Sequence, residues 1–185
     1  MISVPAFLSK IAEIESEHPR YRLGGSGKDG TCDCIGLVIG AIRRAGGSWT
    51  GVHGSNWAAR NEVRRLYDTN MAKPGDVVFK FHQSGSSSNK LPSRYANHPD
   101  RNDYYHVGVV TSVAPLRIIH CTSSGGVSGI KADTAWGQWS RAAELKAVDY
   151  AVPAAPAGID KKVLLERIDS ALILLVDLKE RIKQI

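Results

Sequence analysis

Apolar residues near the N-terminus (Ile2, Phe7, Leu8, Ile11, Ile14) recur at helical spacing, so residues 4–17 are predicted to form a first helix. The run "HPRYRLGGSGKDG" breaks that period with Pro19 and four glycines and reads as a loop. Helical patterning returns from Asp33 or Cys34 to Ala45, where Gly46-Gly47 stops it. Asn56 is a candidate cap for a third helix, "WAARNEVRRLYD". "KPGD" is a turn signature that leads into "VVFKF", a short β-branched and aromatic strand. Over residues 82–105 periodicity is lost; this polar, serine-rich stretch is expected to be a long exposed loop of the kind that often serves as a lid. "YYHVGVVTSV" and "LRIIHC" follow as strands joined near Ala114-Pro115, with one more strand around "KAVDYAV". Helices first and then a run of strands predict an α+β domain with an antiparallel sheet.

The period changes again after "PAAPAG" (153–158), a linker by composition. The expected organisation is a folded domain over 1–152, the linker, and a separate amphipathic helix over 159–185. In that helix Leu164, Ile168, Ala171, Leu175, Leu178, Ile182 and Ile185 follow a heptad seam, widened by Leu165, Leu172, Ile173, Leu174 and Val176. A face this apolar predicts self-association or docking to a helical partner. Its polar positions mix acids with bases, which argues against lying on anionic lipid.

Composition changes this picture little. The chain has 185 residues, 43% hydrophobic and 23% charged, enough to bury a core. A net charge of +6 would suit an anionic partner, but the basic residues are scattered in short pairs such as Arg43-Arg44 and Arg64-Arg65, and no nucleic-acid recognition motif accompanies them. No apolar stretch is long enough to span a membrane. The N-terminal segment lacks the basic start and small-residue cleavage site of a signal peptide, so synthesis in the cytoplasm is expected. Three cysteines, two of them only two residues apart, do not make a disulfide framework.

The chemistry concentrates at "TCDCIG", from Thr31. A zinc site would need a second ligand pair, which His106, His120 and Cys121 could supply only across strands, so no metal or other cofactor is expected. A buried structural thiol is the default for Cys32 and Cys121. Cys34 is different: it opens a helix, where unpaired N–H groups and the dipole are expected to lower a thiol pKa. Such a nucleophile needs a base. If the strands bearing His106 and His120 pair as a hairpin, one imidazole can accept the thiol proton while the other fixes its tautomer. His18, His53, His82 and His98 read as ordinary polar positions.

"YRLGGSGKDGTCDCIGLV", "KPGDVVF", "YHVGVV" and "IIHC" occur in an order that resembles the NlpC-type cell-wall cysteine peptidases, across residues 20–150. The resemblance implies a papain-like fold, N-terminal helices packed on an antiparallel sheet. It implies that Cys34 attacks a peptide carbonyl in a peptidoglycan stem peptide, with His106 as base and His120 as its orienter. Tyr21 and the Cys34 N–H would stabilise the oxyanion, and Asp33 would help bind substrate. The implied reaction is D-glutamyl–diamino acid endopeptidase activity at the bacterial cell wall, reached by phage, holin or a leader. An N-acetylmuramoyl-L-alanine amidase, or a non-catalytic wall-binding or phage-tail module, are the alternatives. Two departures stand out: Ile35 replaces the family's serine after the cysteine, and the 82–105 loop is longer than usual.

Overall fold

A computed structural model describes residues 1–151 and, beyond them, residues 165, 168–170, 172, 173, 175, 176, 179, 182 and 183. The chain divides into two compact units, Met1–Tyr150 and Ala151–Ile185. In the first, β1 (Ile2–Ser3) leads into α1 (Val4–Ser16). The Ser3 side chain accepts from Ala6 N–H, and Phe7, Ile11 and Ile14 form the buried stripe that the spacing predicts. β2 (Arg20–Tyr21) and β3 (Thr31–Cys32) pair in parallel and bring the glycine loop back on itself. α2 (Cys34–Arg44) follows, and Ile35 through Ile42 are all buried. A helix apolar on every side belongs in the middle of a fold.

The third helix is a correction. Only Ser55–Trp57 is α-helical, a wider helical turn covers Ala58–Glu62, and Val63–Tyr67 is a strand, β4. Asn56 does not cap. Its side chain reaches Asp103, the Tyr104 N–H and Arg60, so tertiary partners override the local pattern. The remaining strands are β5 (Val77–His82), β6 (Asp103–Val113), β7 (Leu116–Thr122), β8 (Gly129–Asp133), β9 (Arg141–Leu145) and β10 (Val148–Asp149). The sequence pattern missed β8 and β9, while the strand expected around "KAVDYAV" is the short β10. β4 to β9 form a six-stranded antiparallel sheet in the order β4-β9-β5-β6-β7-β8. β10 pairs in parallel with β1 and ties the end of the unit to its beginning. The α+β architecture is as expected.

The sheet has two apolar faces. Val77, Phe79, Val107, Val109, Ile119 and Cys121 pack in one core with α1 and α2. Val78, Val110, Ile118 and Ala142 pack under Trp139 in the other. The 82–105 stretch is tied down rather than free. Asn89 donates to the carbonyls of His82, Gln83 and Arg101, while Tyr95 is buried beneath Arg60, 4.7 Å from its ring centroid. Its backbone is spent on fixed turns, which suits a wall better than a lid.

In the second unit the described residues from 165 to 182 are helical, and Leu165, Ile168, Leu172, Ile173, Leu175, Val176 and Ile182 are 47–70% exposed. Leu164, Ala171, Leu174, Leu178 and Ile185 of the heptad pattern lie outside the described residues. Among the described residues no helix is long and apolar enough to cross a membrane.

Candidate active site

Asp33 builds the helix start. Its backbone is extended, and its Oδ1 accepts from Gly36 N–H at 2.7 Å, capping α2. Its Oδ2 accepts from Gly24 N–H at 2.7 Å, which fastens the glycine loop to the helix. Gly36 permits this approach: a Cβ there would sit 1.7 Å from the Gly25 carbonyl oxygen. His53 Nε2 completes the carboxylate's shell, 2.8 and 2.9 Å from its two oxygens. Sequence reading set His53 aside, and nothing local in "GVHGS" marks it. Asp33 is 1% exposed, so its carboxylate is already enclosed.

Cys34 stands next to this cap, half-buried and free of disulfide, while Cys32 and Cys121 are fully buried. Cys121 Sγ donates to the Cys32 carbonyl at 3.1 Å, a packing role. Contrary to the expected lowering, burial and then the Asp33 charge push the Cys34 thiol up to about 12. The Val107 and Ile35 backbone N–H groups oppose this without overcoming it. Val107 is accessible to the thiol because β6 and β7 pair only from Val109–Ile119 to Val113–Leu116, while beyond Ile119 β7 continues with β8. Tyr21 pairs with Cys32 across β2–β3, beside the thiol. Burial, then Cys34 and Asp33, raise its phenol pKa and keep it a proton donor.

The parted strands carry the histidines. His106 Nε2 and His120 Nδ1 are 2.8 Å apart, with the rings nearly perpendicular. The hairpin therefore does bring them together, and it engages Nε2 of His106 while His106 Nδ1 stays outside that contact. Among the described residues no hydrogen bond yet joins Cys34 Sγ to His106; such bonds commonly tighten only with substrate. Burial, the His120 charge and Lys80 push His106 down to about 3. His120 is lowered too, mainly by burial. Both rings pack against Trp139, with centroids 5.5 and 5.2 Å away. Gly108 makes room for that indole, since a Cβ there would lie 2.9 Å from Trp139 Cη2. Among the described residues no cluster of three histidines, cysteines or carboxylates is arranged to hold a metal.

The fold recurs in solved structures. NlpC1 from Trichomonas vaginalis superposes with a TM-score of 0.51 at 20% identity, over 75% of this chain and 42% of its own. NlpC2 from the same organism gives 0.51 at 18%, over 76% and 44%. An NLP/P60-family protein similar to a lipoprotein, from Staphylococcus aureus, gives 0.50 at 18%, over 77% and 42%. The fold is that of the NlpC/P60 proteins. This chain spans less than half the length of those NlpC/P60 structures. No family model and no curated protein matches the sequence.

Proposed function

We propose that this chain is a cysteine peptidase of bacterial peptidoglycan stem peptides, acting at the cell wall. The observation that supports it most is the His106–His120 pair on parted strands, beside a helix-opening cysteine that is reached by the Val107 N–H. The Cys34 proton passes to His106 Nδ1 as sulfur attacks the scissile carbonyl. The oxyanion is met by the Cys34 N–H and the Tyr21 hydroxyl. His106 returns the proton to the departing amine, and a thioester remains. Water, deprotonated by His106, then releases the acid and restores the thiol.

The surroundings of Asp33 bear on the bond. A substrate ammonium would reach Asp33 only by displacing His53, and Ile35 offers it no hydroxyl. This favours stems whose amino end is blocked, still joined to glycan, and keeps the N-acetylmuramoyl-L-alanine amidase reading beside the D-glutamyl–diamino acid endopeptidase. Digestion of intact muropeptides and of free-amine stem peptides, with products identified by mass, tests both. Cleavage of the blocked substrates is expected, and no cleavage of either by wild type would end the peptidase reading. The apolar helical positions from Leu165 to Ile182 are proposed to join copies of the chain. Light scattering showing a monomer would remove that claim.

A further inference from the structure

His120 Nε2 is buried and has no hydrogen-bond partner in formed geometry. A buried imidazole N–H without an acceptor is costly. The acidic group within reach is Asp133, whose Oδ2 lies 3.2 Å from that nitrogen. The register explains the approach: Ile118 faces Asp133 and His120 faces Lys131 across β7–β8, so Asp133 stands one diagonal step from His120 on the same face. Trp139 Nε1 donates to the same Oδ2 at 3.0 Å, Lys131 Nζ lies 3.0 Å from Oδ1, and Lys80 Nζ lies 3.7 Å from Oδ2. The carboxylate is thus held in place by groups from three directions.

We propose that Asp133 is a positioning residue that selects the tautomer of His120, and through it sets the direction of proton flow at His106. The inference rests on the cysteine-peptidase reading of the same site. If His106 is to take the Cys34 proton on Nδ1, its Nε2 must carry hydrogen and donate. His120 Nδ1 must then be the acceptor, so the His120 proton must be on Nε2. A carboxylate facing Nε2 favours that form. With the opposite tautomer, His120 Nδ1–H would donate to His106 Nε2. Neutral His106 would then hold its proton on Nδ1 and have no lone pair for the thiol. Only one proton moves in the step, from sulfur to His106 Nδ1; those on His106 Nε2 and His120 Nε2 stay bonded. The Asp133 charge also works in the needed direction, raising the pKa of both histidines against burial and the Lys80 charge, with Lys131 opposing it at His120. Asp133 itself stays ionised: burial would raise it, but Lys131 and Trp139 hold it at about 2.

Two measurements on the full chain test this without a substrate. Nitrogen-15 NMR of histidine-labelled wild type at pH 7.5 should show His120 protonated at Nε2 and bare at Nδ1; the reverse would overturn the proposal even if no variant folds. Alkylation of Cys34 by iodoacetamide, followed on its tryptic peptide from pH 6 to 9, should slow by about 10- to 100-fold in Asp133→Asn, because a histidine held in the wrong tautomer forfeits much of the roughly 10²–10⁴-fold that a positioned base contributes. Asp133→Glu should restore part of it. Equal rates in wild type and a folded Asp133→Asn variant would overturn the proposal and leave the peptidase reading standing. No cleavage of muropeptides or stem peptides by wild type would instead remove the peptidase reading on which it rests.

Discussion

The two sides of the candidate site are built differently. The cysteine side is local: Tyr21, the glycine loop, Asp33 and Cys34 lie within residues 21–36, and Asp33 binds loop and helix together. The histidine side is assembled from β5, β6, β7 and β8 and from Trp139. Yet burial acts on both in the same sense. It pushes the thiol up to about 12 and His106 down to about 3, each toward its neutral form. A thiolate–imidazolium pair is therefore disfavoured in the free site. In the proposed reaction the proton would cross only when the substrate carbonyl arrives and the developing oxyanion is stabilised. A helix-opening position alone did not activate this cysteine, because desolvation outweighs a dipole worth about 0.3–1 kcal/mol.

The largest expected effects come from removing one reacting group on each side. Cys34→Ala and His106→Ala should each lower muropeptide cleavage by several orders of magnitude. Cys32→Ala and Cys121→Ala should retain most of the rate, since both thiols are buried in packing. His120→Ala should be weaker than wild type, with part recovered in His120→Gln, whose amide oxygen can accept from His106 Nε2. Wild-type cleavage by the Cys34 variant would show that the helix side carries no chemistry.

Next come the two glycines that let each side close. Gly36→Ala would drive a Cβ to 1.7 Å from the Gly25 oxygen, so the loop must move. Its cost should exceed the usual overpacking penalty of about 1–3 kcal/mol. Gly108→Ala meets Ile118 Cγ2 and Trp139 Cη2 at 2.9 Å and the Ile119 carbonyl only at 3.2 Å, so its closest clashes are with side chains rather than backbone and its cost should stay within that range. Urea titrations of both variants decide it, and a greater loss for Gly108→Ala would reverse the ranking of rigidity between the sides.

The same contrast explains what the sequence disclosed. α1, α2 and its Asp33 start were legible because caps and 3.6-residue periodicity are local signals. His106 and His120 were legible because "YYHVGVVTSV" and "LRIIHC" are β-branched and aromatic runs joined by a short turn, the signal of a hairpin. Asp133 was not, because "GIKAD" is a short edge strand with no apolar alternation, and its role appears only through the diagonal with His120. His53 was missed for the same reason, its partner Asp33 being far along the chain. The "VRRLY" strand was taken for helix because arginines and spaced apolar residues fit both periods. Its pairing with β9 settles the matter.

The smallest effect separates the sides by pH. His106 is near 3 when folded and about 6.5 when unfolded, so between those values the unfolded chain binds a proton that the folded one refuses. Stability is therefore complete above about pH 6.5 and falls as pH is lowered through the window, by at most about 1.4 kcal/mol per pH unit for one histidine. His120 acts in the same sense. The depressed carboxylates, Glu13, Glu17, Asp29 and Asp133, add their losses only below the unfolded carboxylate range, whereas buried Asp76, with a raised pKa, works the other way. The range from pH 7 to 5 lies above the losses of the depressed carboxylates, and the raised Asp76 can only oppose the histidine slope there. Urea unfolding there should show wild type losing at most about 2 kcal/mol per responsible histidine. His106→Gln should have a shallower slope, because a neutral side chain removes the linked proton. The Cys34 thiol gives no slope in this range, since near 12 it stays protonated in both states. An unchanged slope in His106→Gln would mean that His106 titrates near its ordinary value in the folded protein, and that the histidine side of the site is wetter than its packing against Trp139 implies.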